Sequence, residues 1–160
     1  MPANPICTLI GAGPGLGRAI AERYAHGGFS VGLISRDARR LQEQASLIRA
    51  RGQRAATASG DAADAKSLRN AIADVESQLD GPTTVLIYNA VAFSPGTPLQ
   101  LSPETIQSDY RINVTGALVA AQAVVPAMKQ AGKGTILFTG GGLALHPNAQ
   151  AASLSLGKSG

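Results

Sequence analysis

The sequence predicts an α/β fold, a doubly wound parallel sheet with helices on both faces, and three observations carry that expectation. Short apolar runs alternate with amphipathic stretches along the chain, which is the pattern of right-handed βαβ crossovers. A glycine-rich turn, Gly11-Ala12-Gly13-Pro14-Gly15-Leu16-Gly17, ends the first apolar run. The composition is rich in Ala and Gly, only 4% aromatic and without tryptophan, which suits helices packed closely on a sheet better than a sandwich.

Taken in order, Ile6 to Ile10 reads as a buried strand, and Leu16 to His26 shows helical spacing through Leu16, Ile20 and Tyr24 before Gly27-Gly28 stops it. Phe29 to Ile34 is a second strand, after which Asp37 caps a helix carrying Leu41, Ala45, Leu47 and Ile48. Arg54 to Ser59 is a weaker third strand, and Asp64 caps a helix that buries Leu68, Ile72, Val75 and Leu79. Val85 to Tyr88, short and wholly apolar, is the clearest strand, and the Pro95, Gly96 and Pro98 segment after it is a loop. Ser102-Pro103-Glu104 opens a helical region running to Met128, with a bend expected near Gly116 or Pro126. Thr135 to Thr139 is a fifth strand, Gly140 to Gln150 a loop, and a last helix begins near Ala151. That helix shows no stop signal, so the chain reads as one domain over 1–160, the N-terminal portion of something longer, with its sheet truncated after about five strands.

The totals narrow the function classes. A chain of 160 residues holds one core and is too short for two. The net charge of +4 raises nucleic acid as a partner, but acids interleave the arginines, densest between Arg36 and Arg54, and no aromatic platform accompanies them. No nucleic-acid partner is therefore expected. Cys7 is the only cysteine and lies in an apolar run, which fits a buried thiol in a reducing compartment. No basic leader precedes a long apolar stretch, and no apolar run approaches a membrane span. A cytoplasmic location without a membrane partner follows by elimination.

The glycine turn carries chemistry because of its context, a buried strand before it and a helix opening from it. In a Rossmann-type unit of this size such a turn holds a dinucleotide pyrophosphate. Gly11 permits the sharp turn, Gly15 lets backbone approach the phosphates, and Gly17 allows helix to pack on sheet. The helix N-terminus adds unpaired N–H groups and a positive dipole end. The end of the second strand selects the dinucleotide, since an acid there accepts from the ribose 2′-hydroxyl of NAD and repels the 2′-phosphate of NADP. Ser35-Arg36 stands there instead. A hydroxyl beside a guanidinium suits a phosphate, so NADP is favoured over NAD.

Several motifs in order and spacing make the chain resemble the short-chain dehydrogenases/reductases over essentially its whole length. Gly11-x-x-x-Gly15-x-Gly17 looks like that family's cofactor turn, and Asp61-Ala62 like its adenine-contacting Asp after the third strand. Tyr88-Asn89-Ala90-Val91 is similar to a degraded Asn-Asn-Ala-Gly segment, and Asn113 matches the catalytic asparagine. The resemblance implies a seven-stranded parallel sheet, with NAD(P) across the strand C-terminal ends and hydride transfer between cofactor and an alcohol or carbonyl. It implies a cofactor set of Gly11, Gly13, Gly15, Leu16, Gly17, Ser35, Arg36, Asp61, Ala62, Asn89, Ala90 and Lys158. It also implies dimers or tetramers packed through the helices around Asn113 to Met128 and after Ala151.

The catalytic set departs from the family. Asn113 and Lys158 are present, but Leu154 stands at the tyrosine position and Gly141 at the serine position thirteen residues earlier. Aligning Thr135-Ile136-Leu137 with the family's fifth strand and aligning Lys158 with its lysine give the same register. Leucine has no titratable proton and glycine no hydroxyl, so the usual proton transfer and oxygen stabilisation are lost. Ser153 and Ser155 flank the gap one helix position away, and His146 lies in the preceding loop as an ordinary loop histidine or a proton donor. Three functions stay open at this level. They are an NADP-dependent oxidoreductase with a replacement acid/base and a small-molecule substrate, a non-catalytic dinucleotide-binding sensor or assembly partner, and an inactive fragment with an exposed sheet edge.

Overall fold

A computed structural model describes residues 4–159. Five strands, β1 (Ile6–Ile10), β2 (Ser30–Ser35), β3 (Ala55–Ser59), β4 (Thr83–Tyr88) and β5 (Thr135–Phe138), form one sheet in the order β3-β2-β1-β4-β5, and every pairing is parallel. The helices are α1 (Leu16–His26), α2 (Ala38–Arg49), α3 (Ala65–Gln78), α4 (Pro103–Tyr110), α5 (Gly116–Gln130) and α6 (Ala152–Ser159). This is the expected doubly wound fold, with strand ends within two residues of the sequence-based expectation.

Alternation along β1 separates two apolar layers. Ile6 and Ile10 join a core with Leu68, Ile72 and Val75 of α3 and Val119 and Val124 of α5. Cys7 and Leu9 face the other way, toward Ala21 of α1 and Leu41 and Ile48 of α2. Because strand side chains alternate faces, a strand covered on both sides reads as an unbroken apolar run. Fully buried side chains such as Leu33 and Ile34 each contribute about 2 kcal/mol. The one polar side chain inside β1, Thr8, is satisfied by a hydroxyl pair with Thr83 at 2.7 Å.

Three helices start where the sequence places a cap. Asp37, Asp64 and Ser102 each accept a hydrogen bond from the backbone N–H three residues on, at 3.1, 2.8 and 3.2 Å. Helix α1 differs, since its cap is Gly15, which has no side chain to satisfy the first-turn amides.

One expectation is sharpened and one is corrected. The irregularity in the long helical region lies next to Gly116, the first of the two places expected, as a π-helical turn over Arg111–Thr115, and α5 runs on through Pro126. The Tyr88 hydroxyl donates to the Ile112 carbonyl, diverting it from the regular ladder, and Gly116 lies where a side chain would strike that hydroxyl. The second concerns apolar length. Pro103–Gln130, 28 residues with a mean hydropathy of 1.2 over its best window, is long and apolar enough to span a membrane. In the fold α5 packs on α3 and β4, so Val119, Ala120, Val124 and Met128 owe their apolar character to the core. Strand β5 is one edge of the sheet, with β3 the other, and Leu137 and Phe138 are 44% and 58% exposed there.

Candidate dinucleotide site

The strand order reverses between β1 and β4, and the crevice outside the carboxyl ends of strands at such a point is where open α/β sheets bind ligands. Here a cavity of about 520 Å³ opens at that point. Its floor is the glycine turn, with Gly11, Gly13, Gly15, Leu16 and Gly17 all lining it. Ser35 and Arg36 line it from the end of β2, Asp61 and Ala62 from the end of β3, and Asn89 and Ala90 from the end of β4. Of the expected cofactor set, Lys158 alone lies outside this lining.

The turn is built by close backbone approaches. Gly11 has φ +86°, and a Cβ there would collide with the Ala90 backbone and stand 2.6 Å from the Asn89 carbonyl carbon. Its N–H donates to the Ile34 carbonyl at 2.9 Å, and its own carbonyl accepts from Asn89 Nδ2, also at 2.9 Å. Asn89 thereby ties the end of β4 to the turn after β1. A Cβ on Gly17 would sit 2.6 Å from the Gly11 carbonyl oxygen, so α1 can reach this depth only with glycine at that position. Gly15 is the opposite case, with nothing within 4 Å of where its Cβ would be. A tight turn beneath, open space above and a helix N-terminus without a side-chain cap form a cradle for a bulky anion.

The end of the cavity beside β2 and β3 has mixed charge. Arg36 and Arg40 line the cavity together with Asp37 and Asp61. One Asp61 oxygen accepts from the Ala63 N–H at 2.9 Å and fixes the turn after β3. Sequence reasoning missed Arg40 as a cavity residue and treated Asp37 only as a cap. The available signal was spacing, because the third residue of a helix shares the N-terminal face with its cap.

The other end gathers the remaining residues. Asn113 lies in the π-helical turn, where its Nδ2 donates to the Ala92 carbonyl at 2.9 Å and its Oδ1 accepts from the Ala92 N–H at 2.8 Å. Lys158 Nζ donates to the Thr139 carbonyl at 2.8 Å, and partial burial holds its pKa below the ordinary lysine value. Gly141 is adjacent to Lys158, since its absent Cβ would stand 3.9 Å from the lysine Cδ. Leu154 is half-buried, with no proton to give. The flanking hydroxyls are buried and engaged, Ser153 donating to the Ser94 carbonyl at 3.2 Å and Ser155 accepting from the Asn148 N–H at 3.1 Å. His146 is exposed.

The family model for short chain dehydrogenases matches residues 6–160. The chain belongs to that family. It is 32% identical to a cis-2,3-dihydrobiphenyl-2,3-diol dehydrogenase of a Pseudomonas species, over 91% of this chain and 52% of the relative. It is 26% identical to 2,3-dihydro-2,3-dihydroxybenzoate dehydrogenase of Bacillus subtilis, over 96% of this chain and 58% of that one. Among solved structures, a variant of actinorhodin polyketide ketoreductase with NADPH superposes with a TM-score of 0.92 at 25% identity, covering 98% of this chain and 60% of that one. A variant short-chain dehydrogenase/reductase of Serratia marcescens gives 0.89 at 26% identity, covering 99% and 65%. The chain thus spans between about half and two thirds of the length of these relatives.

Proposed function

We propose that this chain binds NADP(H) across the switch-point cavity and serves hydride transfer between that cofactor and an alcohol or carbonyl substrate, with an atypical catalytic centre. The observation that carries the reading is the open cradle at Gly15 above the sealed turn at Gly11 and Gly17. The preference for the phosphorylated cofactor rests on Arg36 and Ser35 at the end of β2. When bound, the nicotinamide supplies or accepts the hydride. In this reading the residues of the cavity lining would hold the adenosine and pyrophosphate, and Lys158, whose Nζ is held by the Thr139 carbonyl, would donate to the nicotinamide ribose hydroxyls. The proton of the reaction needs a source other than residue 154. The lone buried Cys7 supports a reducing, cytoplasmic setting.

A specific observation favours a second reading, dinucleotide capture without turnover. Position 154 has no proton, position 141 no hydroxyl, and the neighbouring hydroxyls of Ser153 and Ser155 are buried in loop-fixing bonds. Cofactor titration and turnover separate the two. NADPH fluorescence should change on addition of micromolar protein, and Arg36→Ala should weaken NADPH more than NADH. Consumption of NADPH with any of a panel of aldehydes, ketones and quinones supports the oxidoreductase; saturable binding with no consumption supports capture alone. A folded sample that binds neither NADPH nor NADH overturns both.

A further inference from the structure

Asp109, near the end of α4, is the one carboxyl buried among the described residues, at 6% exposure, and no cation among them bridges to it. A carboxylate held out of water is costly unless hydrogen bonds satisfy it. Its Oδ2 accepts from the Ser94 N–H at 2.9 Å. That bond belongs to a series, because the segment after β4 is held through both backbone groups at every second residue. Asn113 grips Ala92. Asp109 and Ser153 grip Ser94, the Ser153 hydroxyl donating to its carbonyl at 3.2 Å. Gly96 donates to the Gln150 carbonyl at 3.1 Å and accepts from the Ala152 N–H at 3.4 Å. The residues between, Val91, Phe93 and Pro95, are exposed.

Spacing lets one helical face do this. Asp109 and Asn113 are four positions apart, a rise of about 6 Å along a helix. Ser94 and Ala92 are two positions apart, about 6.7 Å along an extended chain. The helix and the segment run in opposite directions, so successive side chains of the face meet alternate amides of the segment. A slip of one residue in an extended segment would turn Phe93 inward and Ser94 outward. Two contacts from one rigid face exclude that slip, whereas a single contact would act as a pivot.

We propose that Asp109 is a positioning residue for the nicotinamide end of the site. With Asn113 it sets the register of residues 91–96, and Ser94, so placed, holds Ser153 at the start of α6, the helix that carries Lys158. The same register keeps Val91 on the cavity and Phe93 and Pro95 facing outward. A carboxylate suits the task because hydrogen bonds to an ionised acceptor are about twice as strong as those to a neutral one. The placement of Lys158 toward the cofactor rests on the dinucleotide reading above; the register of the segment does not.

The experiment reads hydrogen exchange of the Ser94 amide by NMR, together with titrations of NADPH and of 2′,5′-ADP, which lacks the nicotinamide half. Asp109→Leu, close to aspartate in shape, removes the acceptor, and Asp109→Asn keeps one. In wild type the Ser94 amide should exchange no faster than that of Ala92; exchange at least about tenfold faster overturns the proposal. Asp109→Leu should speed Ser94 exchange at least about tenfold, as expected for loss of a charged hydrogen bond. It should weaken NADPH at least about fivefold while 2′,5′-ADP stays within about twofold. Asp109→Asn should recover most of both losses. Equal weakening of NADPH and 2′,5′-ADP would mean a general loosening of the fold, and unchanged NADPH binding would mean that the segment does not position α6. Either overturns the proposal, as does an Asn variant no better than Leu. Ser153→Ala cuts the link to α6 alone and should weaken NADPH at least about threefold with 2′,5′-ADP unchanged; no loss there overturns the proposal whether or not Asp109→Leu folds. A wild-type protein that binds neither probe overturns the dinucleotide reading, and unchanged Ser94 exchange in Asp109→Leu overturns the register by itself.

Discussion

Gly141 rests against Lys158, with its absent Cβ 3.9 Å from both Cδ and Cε of the lysine. The backbone at Gly141 is extended, φ −171° and ψ 156°, a conformation any residue adopts. Nothing in the fold therefore demands glycine there, and a serine would place its hydroxyl beside the lysine that Thr139 holds. Gly141→Ser alone should change unfolding free energy by no more than about 0.5 kcal/mol. Combined with Leu154→Tyr, it should raise NADPH-dependent carbonyl reduction at least about a hundredfold over wild type, the scale of a restored general acid. Steady-state NADPH consumption with the same substrate panel checks this. Tight NADPH binding with no gain in rate would place the deficiency on the substrate side of the site and favour capture without turnover.

Gly11 and Gly15 lie in one turn yet should respond oppositely to the same added methyl. At Gly11 the positive φ and the Ala90 backbone combine, so Gly11→Ala should destabilise the fold by about 3 kcal/mol. At Gly15 the methyl meets no protein atom within 4 Å. Gly15→Ala should keep the melting temperature near wild type and weaken NADPH at least about tenfold, because the methyl occupies the side from which backbone approaches the phosphate. Chemical denaturation and fluorescence titration on both variants separate the effects. Equal loss of stability in the two would remove the assignment of Gly15 to the ligand.

How much of this was legible in the sequence depends on how local each cause is. The strands, the caps at Asp37, Asp64 and Ser102, and the turn from Gly11 to Gly17 are set by neighbours along the chain, and all lie where the pattern puts them. An irregularity beside Gly116 was legible, but its π-helical form was not, because the Tyr88 hydroxyl of β4 that meets the Ile112 carbonyl comes from 24 positions away. Arg40 escaped for a related reason. Its place on the cavity follows from the direction in which α2 leaves β2, and its ion pair with Asp37 is an exposed helix pair that carries no signal of the cavity. The apolar length of Pro103–Gln130 escaped the reading of the sequence, and in the fold one face of α5, with Val119, Ala120, Val124 and Met128, packs on α3 and β4.

Cys7 gives the fold an alkaline limit. It lies in the middle layer of β1, fully buried among Leu9, Val31 and Ala21, and burial pushes its thiol from 9.0 up to about 12. The folded state therefore holds this proton more tightly than the unfolded chain. The resulting stabilisation is complete below pH 9 and is lost as pH climbs toward 12, because only the unfolded chain ionises in that window. The slope reaches about 1.4 kcal/mol per pH unit for one group. Tyr88, whose phenol is also raised by burial and by Asp61, steepens the loss from about pH 10 upward, its ordinary value. Comparing wild type with Cys7→Ala across pH 8 to 12 by urea denaturation isolates the thiol. The stability advantage of wild type should be constant below pH 9 and shrink steadily above it, while thiol-specific labelling at neutral pH should proceed only as fast as the protein opens. A constant difference across the range, or rapid labelling of folded protein, would show that the thiol is accessible to water and that the β1 layer is more open than the packing of Cys7 implies.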